Sequence, residues 1–91
     1  MTARTTYLGS TAPSALYTNE RYSVTINDTR HDVRIATYSN GSVATVVKYQ
    51  DNYGEWWSLH PDEEQAKQVM SAVAADRDAA VAAYEAATVR R

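Results

Sequence analysis

Apolar and polar side chains alternate along the chain from residue 21 onward. The first alternating run covers residues 21–26 and the second covers residues 31–38, with turn-forming residues at 27–30 between them. Alternation with a period of two is typical of half-buried strands. One face of the first run carries Tyr22, Val24 and Ile26. The pattern therefore predicts two neighbouring antiparallel strands with an apolar face.

Asn40-Gly41 predicts a hairpin between the second run and a third one. Both residues tolerate the positive φ of a type I′ turn, so a two-residue loop would place Ser39 opposite Ser42 and Ile35 opposite Val46. The face expected to join the core then carries Val33, Ile35, Thr37, Ala44 and Val46. The second face carries Arg34, Ala36, Tyr38, Val43, Thr45, Val47 and Tyr49. This second face is unusually apolar for a surface.

Two adjacent tryptophans follow the next turn, at residues 51–54. Alternation in a short strand over residues 55–59 sends Trp56 and Trp57 to opposite faces. Leu59 falls on the side of Trp57, so Trp57 is the expected core residue. Trp56 is expected on the second face.

Helix-favouring residues occupy the chain from Pro61 to about Val89, without glycine or another proline. Ala66, Val69 and Val73 form an apolar stripe, which Asp76 interrupts. A helix of about 42 Å would overshoot a seven-residue strand of about 23 Å. We therefore expect the second half either to bend back after Asp76 or to contact another chain. Its alanine-rich face predicts dimerisation through Ala80, Ala83, Tyr84 and Ala87.

Residues 1–19 carry turn-forming residues around two short apolar patches. They are expected to form a flexible segment, with a short edge strand near Thr5–Leu8 as an alternative and a loop after it. Residues 20–91 are expected to form one α+β domain. The predicted fold is an antiparallel β-meander of four or five strands followed by a long C-terminal α-helix.

Composition excludes several classes of protein. The 91 residues include no cysteine, which removes disulfides and thiolate zinc sites, and the formal net charge of −2 is mild. Neither a bilayer-spanning apolar run nor a signal-peptide pattern is present, so a cytoplasmic location without membrane contact is expected. Seven arginines against two lysines, with abundant alanine, suggest a GC-rich genome such as that of an actinobacterium or its phage.

Candidate chemistry is sparse. His31 and His60 have no converging third group at a metal-binding or catalytic spacing, and a solvated or capping role is expected for both. The acidic residues 62–64 suit the first turn of a helix better than acid–base catalysis. No Gly-x-Ser-x-Gly and no glycine-rich phosphate loop occur. We expect no enzyme activity, no metal and no cofactor.

Seven tyrosines and two tryptophans without any phenylalanine are the most distinctive feature of the chain. Such residues are enriched at protein interfaces, although they would be core residues if the helix covered the second face. The expected partner-binding residues are Arg34, Tyr38, Tyr49, Tyr53 and Trp56. The first hypothesis is a small protein-binding module that forms a homodimer. Like small accessory proteins of phages, it would bind a host protein and inhibit or modulate it.

The second hypothesis is binding of single-stranded nucleic acid. Four antiparallel strands followed by a helix, over residues 20–91, resemble the element order of Whirly-type single-stranded DNA-binding proteins, without a shared motif. The resemblance implies dimerisation through the helix and ligand binding by the sheet. The sheet region is formally neutral, with five basic and five acidic residues in residues 1–60, so nucleic acid is the less favoured partner. Arg30, Arg34 and Lys48 are a candidate basic patch.

Overall fold

Five antiparallel strands in chain order, followed by one long helix, make up the fold. The structure is a computed structural model that describes residues 3–89. The elements are β1 (Ala3–Ser14), β2 (Tyr17–Ile26), β3 (Thr29–Tyr38), β4 (Val43–Gln50), β5 (Trp56–Leu59) and α1 (Glu64–Val89). Each strand pairs with the next one along the chain, so the sheet is a simple meander. The α+β fold class predicted from the pattern is confirmed, with five strands.

The type I′ turn lies in a different hairpin from the one predicted. Asn27 and Asp28 have φ angles of 50° and 67°, and they connect β2 to β3 as a two-residue loop between Ile26 and Thr29. Asn40 is absent from the residues with positive φ, whereas Gly41 has φ 88°. Asn and Asp tolerate the left-handed region better than other side chains do, so Asn27-Asp28 can form this turn without glycine.

The β3–β4 hairpin has a three-residue loop, which shifts the register by one residue. The Tyr38 N–H donates to the Ser42 carbonyl, and the Gly41 N–H donates to the Tyr38 carbonyl. This is the arrangement of a turn followed by a left-handed residue in a bulge. Ile35 consequently pairs with Thr45 rather than with Val46.

This one-residue shift moves every β4 side chain to the face opposite the predicted one, because side chains alternate along a strand. Val47 pairs with Val33 and is buried under the helix, and Tyr49 pairs with His31 on the same side. Ala44 and Val46, predicted in the core, lie on the face away from the helix, beside Ala36 and Arg34. The predicted face assignment of β4 is therefore wrong.

The N-terminal residues form a full edge strand, so the predicted loop after Leu8 is wrong. β1 pairs with β2 from Ala3 to Ser14, with register shifts between Tyr7 and Gly9 and between Thr11 and Ser14. Gly9 has φ 106°, and a Cβ there would come within 3.0 Å of the Tyr84 hydroxyl. A bulge with glycine at this position lets α1 approach the backbone of β1 closely.

The helix runs unbroken from Glu64 to Val89 and packs mainly on β1, with fewer contacts to β2. The stripe of Ala66, Val69 and Val73 is buried, as predicted. The helix is continuous through Asp76, and its second half lies on β1 as far as Tyr84, because the twelve-residue β1 extends to Gly9 and beyond. The last turn, residues 85–88, is exposed.

Polar contacts dock this second half onto the sheet. Arg77 donates to both carboxylate oxygens of Glu20 at 2.8 Å, and Asp76 accepts from the Thr5 hydroxyl at 3.5 Å. The Tyr84 ring packs edge-on against Tyr7, with ring centroids 5.0 Å apart. The residues that interrupt the apolar stripe are thus paired with polar groups of β1 and β2.

The core lies between α1 and the helix side of the sheet, from β1 to Val47 of β4, and leaves the far side of the sheet uncovered. Tyr22, Val24, Val33 and Val69 have no exposed surface. Trp57, predicted in the core, faces the helix side but is 51% exposed because α1 does not reach over β5. Its indole N–H instead donates to Asp51 at 2.7 Å.

Candidate functional site

The sheet face opposite α1, called here the open face, is the broadest surface that the fold leaves uncovered. Paired residues of adjacent antiparallel strands have their side chains on the same face. Arg21 of β2 lies on the open face, so alternation along β2 places Ser23 and Thr25 on the same face. The residues of β1 and β3 that pair with these positions also have their side chains on the open face.

All five basic residues of the strands lie on the open face. Arg4 and Arg30 pair with Thr25, Arg21 pairs with Arg34, and Lys48 pairs with Asp32. Asp32 is the single acidic strand residue among them, since Glu20 lies on the helix side with Arg77. The other acidic residues between positions 3 and 59 are in turns: Asp28, Asp51 and Glu55. The formally neutral sheet region therefore has one strongly basic face.

Asp32 neutralises only part of this positive charge. Its carboxylate accepts from Arg21 at 3.1 Å and lies 3.4 Å from the Nε of Arg34. The Asp32 side chain is 14% exposed, whereas those of Arg21 and Arg34 are 49% and 54% exposed. One carboxylate thus holds two guanidinium groups in place, and both remain accessible to an anionic partner.

Aromatic side chains lie at two places on this basic surface. Trp56 pairs with Gln50 and is 43% exposed, and it lines a shallow depression together with Arg21, Arg34 and Lys48. At the other end of the face, the rings of Tyr17 and Tyr38 are 5.4 Å apart. The surface between them carries Ala36, Ala44 and Val46. The open face therefore combines a cationic region with a flat apolar one.

The structure brings three of the five predicted partner-binding residues to the open face: Arg34, Tyr38 and Trp56. Tyr49 lies on the helix side because of the shifted register, so its predicted face is wrong. Tyr53 is in the β4–β5 turn, 92% exposed, with its N–H donating to Asp51.

The predicted dimerisation residues fall into two groups. Ala80 is 8% exposed against the sheet, and the Tyr84 ring lies on Gly9 and Tyr7. Ala83 and Ala87 are exposed on α1. The first two thus stabilise the monomer fold, and dimerisation stays a prediction.

Sequence reasoning missed Arg4 and Arg21 as members of the basic surface. A count of charge over residues 1–60 averages the two faces of the sheet and so conceals its asymmetry. Alternation along the strands could have revealed this asymmetry. Once the register is known, it places four basic residues on one face: Arg21, Arg30, Arg34 and Lys48. Arg4 could not be placed without β1.

The histidines have structural positions. His31 is 2% exposed, which corrects the expectation of a solvated or capping side chain, and its Nδ1 lies 3.0 Å from the Val24 carbonyl. The Nε2 atom lies 3.0 Å from the side-chain amide of Gln65. Burial lowers the pKa of His31, although the hydrogen bond to Val24 opposes this shift.

His60 lies in the turn that precedes the helix, and its side chain is 70% exposed. Its Nδ1 accepts from the Asp62 N–H at 3.1 Å, and the Glu63 carboxylate accepts from the His60 N–H. These reciprocal bonds are similar to those of a capping box, but they stabilise the turn before Glu64, where α1 begins. Within residues 3–89, no group of three or more histidine, aspartate or glutamate side chains is placed to hold a metal ion.

Asp51 organises the turn that presents the two tryptophans. It accepts from the backbone N–H groups of Tyr53 and Glu55 and from the indole of Trp57. These hydrogen bonds, the one from Trp57 foremost, lower the pKa of its carboxyl. The turn is therefore fixed by its own side chain, which orients β5 and with it Trp56.

No helix in the described part of the chain has the length and apolar character needed to cross a bilayer. Comparison with known proteins finds no family model that matches the chain, and neither a curated protein nor a solved structure is significantly similar to it.

Proposed function

We propose that the protein is a non-enzymatic binding module whose open face takes an acidic surface of another protein. The observation that carries this proposal is the placement of all five basic strand residues on one face with a single acidic residue. Clusters of one charge sign speed and orient the association of complementary surfaces. Trp56 and Tyr38 supply aromatic area of the kind that dominates binding energy in protein interfaces.

The apolar end of the open face favours a protein partner over other anions. Ala36, Ala44 and Val46 form a flat patch beside Tyr38, with Val46 46% exposed. A folded protein can cover such a patch with its own apolar side chains while its acidic residues contact Arg34 and Lys48. As a small accessory protein, the chain would act by covering a functional surface of that partner.

Single-stranded nucleic acid is the second candidate, favoured by the proximity of Trp56 to Arg21, Arg34 and Lys48. Binders of single strands combine cationic side chains for the backbone with aromatic rings for stacking. The open face has these two components, although the aromatic residues lie at its ends rather than in a row along it.

Affinity capture with matched charge variants tests the proposal. The immobilised chain, its Arg34→Glu variant and an Ala79→Glu/Ala86→Glu double variant are exposed to lysate of the organism that encodes it, with and without nuclease. Ala79 and Ala86 are exposed on α1, so the double variant changes net charge by the same two units without altering the open face. We expect a protein captured by the wild type and the alanine double variant, lost from the Arg34 variant and unaffected by nuclease.

Purified components then separate the two candidates. Binding of the captured protein should weaken at least tenfold on Trp56→Ala, as is common when a tryptophan in an interface is truncated. Equal capture by the two charge variants would refute a role for the open face. Capture that nuclease abolishes, together with tight binding of an oligothymidylate, would assign the face to nucleic acid.

A further inference from the structure

We propose that the open edge of β4, residues 43–46, pairs with an extended segment of the partner in which acidic and apolar residues alternate. This inference rests on the proposed function and specifies how the partner binds. β5 pairs only with Val47–Gln50, so among the described residues the first half of β4 has a strand neighbour on one side and none on the other. All four residues of the open edge are exposed.

The hydrogen-bond pattern of the hairpin shows which groups face outward. Tyr38 donates to Ser42, and hydrogen-bonded pairs alternate along an antiparallel ladder. The Ala36–Ala44 and Arg34–Val46 pairs therefore bond across β3 and β4. Val43 and Thr45 consequently direct their N–H and C=O groups away from β3. Edge strands with such unpaired groups are the sites at which an added strand binds.

An apolar groove lies beside this edge on the helix side. One charged side chain, Lys67, lines this groove, and its other lining residues are Thr45, Val47, Leu59, Pro61, Ala66 and Met70. At His60-Pro61 the chain leaves the sheet for the helix, so no residue of β5 pairs with Thr45. A strand added there would place an apolar side chain in this groove.

The neighbouring side chains of the same added strand would face the opposite way, onto the open face. There they would lie beside Val46, which pairs with Arg34, and diagonally across from Lys48, two residues along β4. Both charges are positive, so acidic side chains are favoured at these positions. Backbone pairing, groove and charge together specify an extended segment with the pattern acidic–apolar–acidic.

Peptide selection on the full chain tests this inference. Random eight-residue peptides displayed as a library are selected on the wild type, and the most enriched peptide is synthesised with a fluorescent label. We expect acidic residues alternating with apolar ones. Binding should weaken about tenfold on Thr45→Pro, which removes one outward N–H, and should change much less on Thr45→Val, which keeps it.

N-methylation of the peptide provides a test that leaves the protein unaltered. The methyl groups are placed either on the odd-numbered or on the even-numbered backbone nitrogens of the peptide, which gives two methylation phases. Only one phase removes N–H groups that face Thr45. We expect one phase to lose binding about tenfold and the other to retain it. This readout stands even if Thr45→Pro does not fold.

Several outcomes would overturn the inference. Equal effects of the two methylation phases would show that no strand pairing occurs, as would a selected pattern with helical spacing. A dimer that sedimentation shows to dissociate on Thr45→Pro would mean that the edge belongs to a second copy. Acidic peptides that depend on Arg34 but not on Thr45 would refute the edge and leave the proposed function intact, whereas peptides indifferent to both would refute the two together.

Discussion

His31 is the buried polar side chain of the core, and its surroundings fix its protonation state. The carbonyl of Val24 accepts a hydrogen bond from the Nδ1–H, so Nε2 is left to accept from the amide of Gln65. The ring is therefore satisfied as the neutral tautomer that carries its proton on Nδ1. Protonation at Nε2 would place a charge in a buried ring and would require the Gln65 amide to turn its oxygen toward it.

We expect the free energy of unfolding to fall as the pH drops below about 6.5. The folded state keeps His31 neutral with a lowered pKa, whereas the unfolded chain binds a proton near the ordinary value of 6.5. The stabilisation is thus complete above 6.5 and is lost as the pH falls toward the folded pKa, with a slope of up to about 1.4 kcal/mol per pH unit.

Urea unfolding between pH 5 and 7.5 measures this slope. The His31→Asn variant can still donate to Val24 but does not titrate at this position, so its unfolding free energy should vary much less over the same range. The His60→Gln variant lacks the exposed imidazole and serves as the matched control. An unchanged slope in the His31→Asn variant would show that another group is responsible.

At the scale of the elements, loop length decides which side chains reach each face. The β2–β3 loop has two residues and the β3–β4 loop has three, although both contain asparagine followed by a turn-forming residue. Asn40 uses its side chain differently from Asn27: its Oδ1 accepts from both the N–H and the hydroxyl of Ser42. This local network accompanies the longer loop, which is what sends Val46 to the open face.

Glycine substitutions should therefore act in opposite directions in the two hairpins. Asp28 has φ 67°, a conformation that favours glycine, so Asp28→Gly should raise the free energy of unfolding by about 0.5 kcal/mol. Asn40→Gly should lower it by about 1 kcal/mol, because the bonds to Ser42 are lost and the unfolded chain gains freedom. The urea unfolding midpoints of the two variants, compared with that of the wild type, measure these changes. Stabilisation by Asn40→Gly would contradict the three-residue loop.

The element types could be read from the sequence, whereas the register could not. Alternation identified β2, β3 and β4, and the stripe of Ala66, Val69 and Val73 identified the buried face of α1. Asn40-Gly41 is compatible with both a two-residue and a three-residue loop, and the difference of one residue reassigns all of β4. The candidate site depends on that register, so only three of the five expected partner-binding residues were placed correctly: Arg34, Tyr38 and Trp56. The candidate basic patch of Arg30, Arg34 and Lys48 also lies on the open face. β1 was hidden because its bulge at Gly9 breaks the alternation.

At the scale of the whole molecule, the fold separates charge that the sequence mixes. The open face carries the five basic strand residues with Asp32, while residues 61–89 on the other side hold six acidic and two basic residues. A formal net charge of −2 therefore describes neither side. An acidic partner is attracted to the open face and repelled by the helix side, so the charge distribution orients the two molecules as they associate.

Cation-exchange chromatography at pH 7 should detect this polarity directly. Lys48→Glu and Lys67→Glu each change one charge by two units and so move the formal net charge from −2 to −4. A resin that reads net charge alone would elute the two variants together. Because the open face holds the only dense positive surface among the described residues, we expect the wild type and the Lys67 variant to be retained and the Lys48 variant to elute earlier. The difference should vanish above about 0.5 M salt, where screening shortens the reach of the face to a few ångströms.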